Sequence, residues 1–425
     1  MKAHNFSPES LMMSHGYNHE LSEGAVKCPI FQTSTFAFKS AEEGKAFFEI
    51  AYGLRDKGPK EELGLIYSRI NNPNLEILEN RLCLWDKSED CAVFESGMSA
   101  ISTVLLEFLK PGDLLVHGNP LYGGTDHFIE HFLTKIGVDV LSVHPDESEE
   151  DIIKMIEATG KSANLAMIFL ETPANPTNDI VDIESYSNIT NHFSTDDKQV
   201  LLAIDNTYLG PLWQHPLKFG ADIIMYSATK YIGGHSDLIA GAVLGSAELM
   251  VRVKNLRTFL GNMLSPNTAW LLLRSLETLK VRMDKQTKNA QQVATFLEQH
   301  PIIEKVNYLG LLKEGTKEYN IYKKQCEAPG AMISFDIKGG EKEAFQFINN
   351  LKLFKMAVSL GSTESLVEHP NSMTHAGVDA EHKKRMNITD KLIRLSIGVE
   401  NANDIIWDIE QALATVKSKL ILEHV

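Results

Sequence analysis

The chain has 425 residues, of which 43% are hydrophobic and 23% are charged, ordinary values for a globular enzyme of about two to three domains. Its net charge of −15 argues against nucleic acid or an anionic membrane as a partner, and no apolar run reaches transmembrane length. Its four cysteines show no Cys-x-x-Cys spacing and its first residues lack the apolar core of a signal peptide, so we expect a cytosolic protein without a disulfide framework.

Residues 1 to 71 are predicted to form an N-terminal arm, because they are rich in turns and contain one amphipathic helix, at about 41 to 54. Such an arm cannot bury a core alone, so we expect it to lie on another surface, for example that of another subunit. It carries Tyr67-Ser-Arg69, whose phenol and guanidinium could form a surface pair or could reach a phosphate.

Residues 72 to 279 alternate between short apolar strands and helices, which predicts a mainly parallel sheet covered on both faces. Ligands of such sheets bind at the carboxyl ends of the strands. Polar side chains that lie just after predicted strands are Ser96, Tyr122, Asn175, Asp205 and Lys230. Their shared position at one edge of the sheet predicts a binding site there.

A long helix from about residue 268 to 299, broken near Arg282, is predicted to link this domain to a smaller α/β unit at 280 to 425. Strands are expected in that unit at 331 to 337, 355 to 359 and 392 to 397. Its last helix is expected at 402 to 419.

The segment Ser227-Ala-Thr-Lys230 follows a buried strand. A lysine in that position is poorly solvated, which lowers its pKa and lets a neutral amine attack a carbonyl. The hydroxyls of Ser227 and Thr229 suit a phosphate, so the segment indicates a Schiff-base site for pyridoxal 5′-phosphate (PLP) on Lys230. A capped turn beside a surface lysine is one alternative. An acyl-enzyme serine is another, but it requires Ser-Asp-Asn and Lys-Thr-Gly motifs that the chain lacks.

The remaining needs of PLP can be assigned to other residues of the chain. Asp205 would keep the pyridine nitrogen protonated, Tyr122 would cover the ring and Asn175 would bond its hydroxyl. A turn or cap is the alternative for Asp205 and Asn175. The phosphate would be held by Ser96, by the amides of Gly97 and Met98, and by Ser227 and Thr229. Arg394, an arginine within a buried strand, would bind the substrate carboxylate.

In order and over nearly the whole chain, these motifs resemble the Cys/Met-metabolism family of PLP enzymes, which includes cystathionine γ-synthase, the cystathionine lyases and methionine γ-lyase. The matching stretches are Tyr67-Ser-Arg69, Glu95-Ser-Gly-Met98, Tyr122-Gly-Gly-Thr125, Thr172-Pro-Ala-Asn-Pro176, Asp205-Asn-Thr207, Ser227-Ala-Thr-Lys230, Ser359-Leu-Gly361, His369 to His375 and Arg394-Leu-Ser-Ile-Gly398.

The resemblance implies an α/β fold like that of aspartate aminotransferase (PLP fold type I) and a homotetramer built from two dimers. It places Tyr67 and Arg69 at the phosphate in the neighbouring subunit. It also implies that Lys230 removes the substrate α-proton, that Asp205 holds the ring positive, and that Tyr122 acts as general acid.

A few positions distinguish the activities found within this family. Val358, ahead of Ser359 and Leu360 in the predicted substrate site, is apolar as in methionine γ-lyases, whereas members that handle cystathionine commonly carry glutamate there. Gly124 and Arg257-Thr258 differ from those lyases, which have cysteine and Lys-Asp, and the segment at about 50 to 65 is longer than typical. We predict γ-elimination on methionine, cystathionine or a related thioether. The alternatives are γ-replacement on an O-acylated homoserine, as in cystathionine γ-synthase or a sulfhydrylase, and a PLP aminotransferase.

Other enzyme classes find less support in the sequence. A zinc hydrolase could use His127-x-x-x-His131, but no glutamate lies between them in the His-Glu-x-x-His manner and no third ligand is evident, so no metal is predicted. The Gly-x-Gly-x-x-Gly fingerprint of nicotinamide enzymes is absent. A scaffold without chemistry is disfavoured because Lys230, Asp205 and Arg394 are all present.

Overall fold

The structure is a computed structural model that describes residues 5–59, 61, 63–378 and 380–422, and the side chains of these up to residue 416. Residues 60 and 62, within the long segment noted at 50 to 65, therefore lie outside the described residues. None of the helices in this part of the chain combines the length and the apolar character needed to cross a membrane.

Helices α1 to α14 are, in order, Pro8–Leu11, Ala41–Ala51, Pro73–Asp86, Gly97–Phe108, Gly123–Phe128, Glu149–Ala158, Ile183–Phe193, Ala247–Leu260, Pro266–Leu276, Leu279–Gln299, Lys317–Gln325, Glu341–Asn350, Ala380–Arg385 and Ala402–Leu422. Strands β1 to β12 are Asp90–Phe94, Leu114–Gly118, Asp139–Val143, Leu165–Glu171, Leu201–Asp205, Ile223–Tyr226, Gly241–Gly245, Ile303–Asn307, Met332–Ile337, Lys355–Met356, Leu366–Glu368 and Leu392–Ser396.

The larger sheet has seven strands in the order β1-β7-β6-β5-β4-β2-β3. Strands β6, β5, β4, β2 and β3 run parallel, and β7 is antiparallel to both of its neighbours. The central strand β5 is buried along its whole length, as a strand covered on both faces must be. This confirms the predicted mainly parallel sheet.

The smaller sheet has five strands in the order β10-β11-β12-β9-β8 and is antiparallel except for the β10–β11 pair. One apolar cluster runs from Ile224 in the larger sheet through Val293 in α10 to Phe335 in β9. Because interiors are close-packed, this shared core fixes the loops of one sheet relative to those of the other.

The predicted break near Arg282 is wrong in position. The helices α9 and α10 are separated at Glu277 and Thr278, and Arg282 lies within α10 with a buried side chain. The arm helix also ends earlier than predicted, at Ala51. The domain boundaries after residues 71 and 279 stay predictions.

Candidate active site

The carboxyl ends of β4, β5 and β6 and the N-terminus of α4 surround a cavity of about 260 Å³. The predicted site residues that line it are Ser96, Gly97, Met98, Tyr122, Asn175, Asp205, Ser227, Thr229, Lys230, Val358, Leu360 and Arg394. Residues of both sheets thus meet at one cavity, although they are far apart in the chain.

Lys230 lies in the turn that follows β6, where its amide donates to the carbonyl of Ser227 (3.0 Å). Its Nζ donates to Oγ of Ser359 (3.2 Å), so the loop of the smaller sheet orients the amine. Burial lowers the pKa of Lys230, and the charge of Arg394 lowers it further, while Glu368 opposes the shift. A lysine so placed is a stronger candidate nucleophile than an exposed one.

The turn after Lys230 is held by Arg282. This buried guanidinium donates to the carbonyls of Tyr231 (2.8 Å) and Ser275 (3.0 Å) and has no carboxylate partner among its described contacts. Burial lowers its pKa to about 10. Gly234, at φ +70°, passes so close that a Cβ there would meet Nη1 of Arg282. The position of Lys230 is therefore fixed from α10.

The N-terminus of α4 meets the β6 turn at a very short distance. A Cβ on Gly97 would lie 2.9 Å from Cβ of Ser227, so only glycine fits there. Ser96 caps α4, because its Oγ accepts from the amide of Ser99 (3.0 Å). The first amides of a helix lack partners within the helix and favour an anion, so Gly97 and Met98 offer donors to a phosphate.

Thr229 holds the turn together as well as lining the cavity. Its hydroxyl accepts from the amide of Ala240 (3.0 Å) and lies 3.2 Å from the carbonyl of the same residue. The neighbouring Ser227 is fixed through its amide, which donates to Oγ1 of Thr207 (2.7 Å). Of the two hydroxyls in this turn that are predicted for the phosphate, that of Thr229 is engaged in a contact that shapes the turn.

Asp205 ends β5 and is 6% exposed. One of its oxygens accepts from the amide of Thr207 (3.0 Å), and burial raises its pKa against the effect of that bond. It is suited to hold a buried cation, because an uncompensated carboxylate at this depth is costly.

Glu171, which the sequence analysis did not select, ends β4 beside Asp205. Its two oxygens accept from the amides of Tyr122 (2.7 Å) and Asn175 (3.0 Å). Both loops that carry these predicted site residues are therefore tied to one carboxyl group. The signal that could have found Glu171 is the one used for Asp205, a polar residue directly after a buried strand.

Asn175 and Arg394 are joined directly. Nη1 of Arg394 donates to Oδ1 of Asn175 (2.9 Å), and its Nη2 donates to the carbonyl of Ser359 (2.9 Å). Arg394 also pairs with Glu368 at 2.6 Å, a second carboxylate that the sequence analysis missed. No local signal marks Glu368, because its partner comes from another strand.

Tyr67 and Arg69 do not line the cavity of their own chain. Arg69 lies over the Tyr67 ring and donates to the carbonyl of Thr258 (2.8 Å), and Tyr67 is 41% exposed. The zinc-hydrolase alternative rested on His127 and His131, whose rings lie 4.5 Å apart, and within the described ranges no group of three potential metal ligands is present.

Comparisons with known proteins agree with this geometry. The model of the family described as "Cys/Met metabolism PLP-dependent enzyme" matches residues 9–414. An L-methionine gamma-lyase of Fusobacterium nucleatum subsp. nucleatum is 42% identical over 395 residues, which cover 92% of this chain and 94% of that protein. A cystathionine gamma-lyase of Bacillus subtilis is 37% identical over 411 residues, covering 96% and 99%.

A solved structure, cystathionine gamma synthase from Xanthomonas oryzae pv. oryzae in complex with cystathionine, superposes with a TM-score of 0.86 at 31% identity. The match covers 98% of this chain and 100% of that one. The predicted fold, that of PLP fold type I, is therefore confirmed.

Proposed function

The chain belongs to the Cys/Met-metabolism family of PLP-dependent enzymes, and we propose that it is a carbon–sulfur lyase that carries out γ-elimination on L-methionine. The observation that carries the proposal is the 42% identity to an L-methionine gamma-lyase along almost the full length of both chains. The apolar Val358 at the cavity supports it, because a thioether without a distal charge needs no polar partner there.

The residues around the cavity fit the PLP cofactor. Gly97, at the amino end of the twelve-residue helix α4, approaches Ser227 closely. The space between them is a cradle that a Cβ on residue 97 would fill. Lys230 supplies an amine of lowered pKa, and Asp205 supplies a buried acid for the ring nitrogen. Phosphate would bind at Gly97, Met98 and the Ser227 turn.

When bound, the cofactor supplies an electron sink for negative charge at the substrate α-carbon. Asp205 keeps that sink effective by holding the ring nitrogen protonated. Lys230 takes the α-proton, and the Ser359 hydroxyl, 3.2 Å from its Nζ, keeps the amine directed. After a second proton has been removed from the β-carbon, Tyr122 delivers a proton to the sulfur as the bond between the γ-carbon and sulfur breaks. One water then hydrolyses the remaining four-carbon fragment, so the products are a thiol, a 2-oxo acid and ammonia.

Arg394 would bind the substrate carboxylate. It lines the cavity, is 2% exposed, and is oriented by Asn175 and by the carbonyl of Ser359. A planar guanidinium held from several sides matches a carboxylate with little loss of side-chain entropy. Leu360 and Val358 line the cavity and would contact the rest of the substrate.

The second copy of the chain is proposed to complete the site. Large apolar side chains of the arm are mostly exposed, namely Leu21, Val26, Tyr52 and Leu54, and Phe259 beside the Arg69 contact is 83% exposed. Exposed apolar surface on this scale is typical of an interface. We place Tyr67 and Arg69 at the phosphate of the neighbouring subunit, within a dimer that pairs again to a tetramer. The cytosolic location stays a prediction.

Product analysis tests the function. The cofactor-loaded protein is incubated with L-methionine, with cystathionine, or with an O-acylated homoserine and cysteine, beside Lys230→Ala as the inactive control. We expect a 2-oxo acid and a volatile thiol from methionine. Cystathionine formed from the third mixture, without 2-oxo acid from methionine, would establish γ-replacement instead.

A further inference from the structure

Arg394 lies between the cavity and a second carboxylate, that of Glu368. Its Nη1 is 2.6 Å from Oε1 of Glu368, which is wholly buried and does not line the cavity. The guanidinium charge is therefore already paired from the interior side before a ligand binds. A substrate carboxylate would approach Arg394 from the opposite side.

The hydrogens of Arg394 are largely in use. Nη1 donates to Asn175 and to Glu368, and Nη2 lies within reach of the carbonyls of Val358 (3.3 Å) and Ser359 (2.9 Å). Two polar atoms of the pair are buried without a partner, Nε of Arg394 and Oε2 of Glu368. A buried polar atom without a hydrogen-bond partner costs free energy. The pair can therefore still accept from one more donor, at Oε2 of Glu368, and donate to one more acceptor, at Nε of Arg394.

The charges in this region do not balance once a second carboxylate is added. One guanidinium would then face two carboxylates in a buried site, and removing such charges from water is expensive. Burial raises the pKa of Glu368, while Arg394, the Thr374 hydroxyl and Lys230 lower it.

Lys230 would be engaged by the cofactor in the loaded protein, and the other titratable groups nearby carry no positive charge at neutral pH. Burial lowers the pKa of His375 to about 4, so its ring is neutral, and burial raises the pKa of Tyr208. Glu171, beyond Arg394, is itself an acid. Protonation of Glu368 is the change that restores balance, and its unpartnered Oε2 is the atom that would receive the proton.

We propose that Glu368 is a positioning residue for Arg394 that takes up one proton when the substrate carboxylate binds. The inference rests on the proposed function, because that function places the carboxylate at Arg394. Substrate affinity is then set jointly by Arg394 and by an acid that never touches the substrate. Affinity for the carboxylate should fall as the pH rises, because deprotonated Glu368 competes electrostatically for the same guanidinium.

The test uses 4-(methylsulfanyl)butanoate, a carboxylate that has the methionine side chain but no amine and therefore does not titrate near neutral pH. Calorimetric titration of the cofactor-loaded protein, in two buffers of different ionisation enthalpy, counts the protons taken up between about pH 6 and 9. We expect uptake to rise towards one, with affinity falling by up to about tenfold per pH unit. Glu368→Gln should bind tighter at the alkaline end, without uptake and without this pH dependence. Glu298→Gln, an exposed carboxylate on α10, should behave as wild type.

Binding to wild type without proton uptake, or uptake that persists in Glu368→Gln, overturns the proposal. Absence of proton uptake by wild type overturns the proposal even if the variant does not fold. Arg394→Met distinguishes a failure of the Glu368 role from a failure of the carboxylate site at Arg394. If it abolishes probe binding while wild type takes up no proton, only the role of Glu368 fails. If it leaves binding unchanged, or if wild type binds no probe, the placement of the carboxylate at Arg394 fails as well.

Discussion

Glu171 and Asp205 are register partners at the ends of β4 and β5, so two buried carboxyl groups lie side by side at the base of the cavity. Burial, and then the charge of Asp205, raises the pKa of Glu171 to about 8, and burial raises the pKa of Asp205. Because like charges repel strongly where water is excluded, the pair holds a proton at neutral pH. A protonated ring nitrogen opposite Asp205 would relieve that repulsion, which explains why two acids are tolerated here.

The Glu171 carboxyl should make the cofactor-free protein less stable as the pH rises. Folding raises its pKa from the ordinary 4.5 to about 8, so its contribution is fully present below pH 4.5 and is lost as the pH rises through 8. Glu171→Gln should remove a pH-dependent loss of stability on the order of 5 kcal/mol. Thermal unfolding midpoints of the cofactor-free proteins at several pH values measure it. Glu298→Gln serves as the control, and parallel pH profiles for wild type and Glu171→Gln would refute the assignment.

Gly97→Ala should weaken cofactor binding without unfolding the chain. The added Cβ would lie 2.9 Å from Cβ and 3.0 Å from Cα of Ser227, so the amino end of α4 must move away from the turn that carries Lys230. We expect the dissociation constant of PLP to rise by about tenfold or more, since that corresponds to roughly 1.4 kcal/mol. Equilibrium dialysis of the cofactor gives the value. Gly377→Ala, where a Cβ would meet nothing within 4 Å, is the matched control, and equal retention by both variants would contradict the cradle.

Local pattern was enough to predict the parts of the site that follow buried strands. Asp205 and Lys230 are predicted because each lies just after a short apolar run, and parallel strands bring such ends together. Strand β7, Gly241–Gly245, was missed because its glycines suggest turns, and only pairing with the distant β1 and with β6 makes it a strand.

Two carboxylates of the site, Glu171 and Glu368, were not predicted, because their roles depend on contacts between distant parts of the chain. Glu171 obeys the local rule and could have been selected, but its role comes from the amides of Tyr122 and Asn175. Glu368 has no such local mark, since its partner Arg394 lies on another strand. Ser96 was assigned to the phosphate, yet its side-chain oxygen accepts the amide of Ser99 as a helix cap. Sequence patterns predict which residues reach an edge of a sheet, but not which groups already bind each other there.

Arg282→Met should destabilise the protein and disturb the Lys230 turn together. The guanidinium donates to the carbonyls of Tyr231, Ile232 and Ser275. The Ser275 carbonyl keeps a bond from the amide of Thr278 (3.2 Å), so the carbonyls of Tyr231 and Ile232 are the ones that would lose this partner inside the core. Buried acceptors left unsatisfied cost about 1–3 kcal/mol each, so we expect a loss of roughly 3 kcal/mol or more. Denaturant titration measures it, with the exposed Lys288→Met on the same helix as control. A change below about 1 kcal/mol would mean that the turn is held by other contacts.

Arg69 should act on the site of the neighbouring subunit. Arg69→Ala and Lys230→Ala are each expected to be inactive, the first through weak cofactor retention. After the two proteins are mixed, unfolded and reassembled, a hybrid dimer contains one site with both native residues. Random pairing then restores about one quarter of the wild-type activity, because half of the dimers carry one complete site of two. Reassembly of either variant alone is the control. If the mixture stays inactive while hybrids form, Arg69 does not serve the partner's site.

Val358→Glu should shift substrate preference from methionine towards cystathionine. Val358 is 58% exposed at the cavity, and only its carbonyl contacts Arg394, so a new side chain leaves that contact intact. The distal end of cystathionine bears an ammonium group that a carboxylate can pair with, whereas the methyl group of methionine offers it nothing.

We expect the ratio of kcat/KM for cystathionine to that for methionine to rise by about tenfold, equivalent to roughly 1.4 kcal/mol of differential binding. Competition between the two substrates in one mixture, with both products quantified, gives this ratio directly. Val358→Gln is the matched variant, because it has nearly the same size but no charge. An equal shift in both variants would assign the effect to size, and an unchanged ratio in Val358→Glu would remove this position from substrate selection.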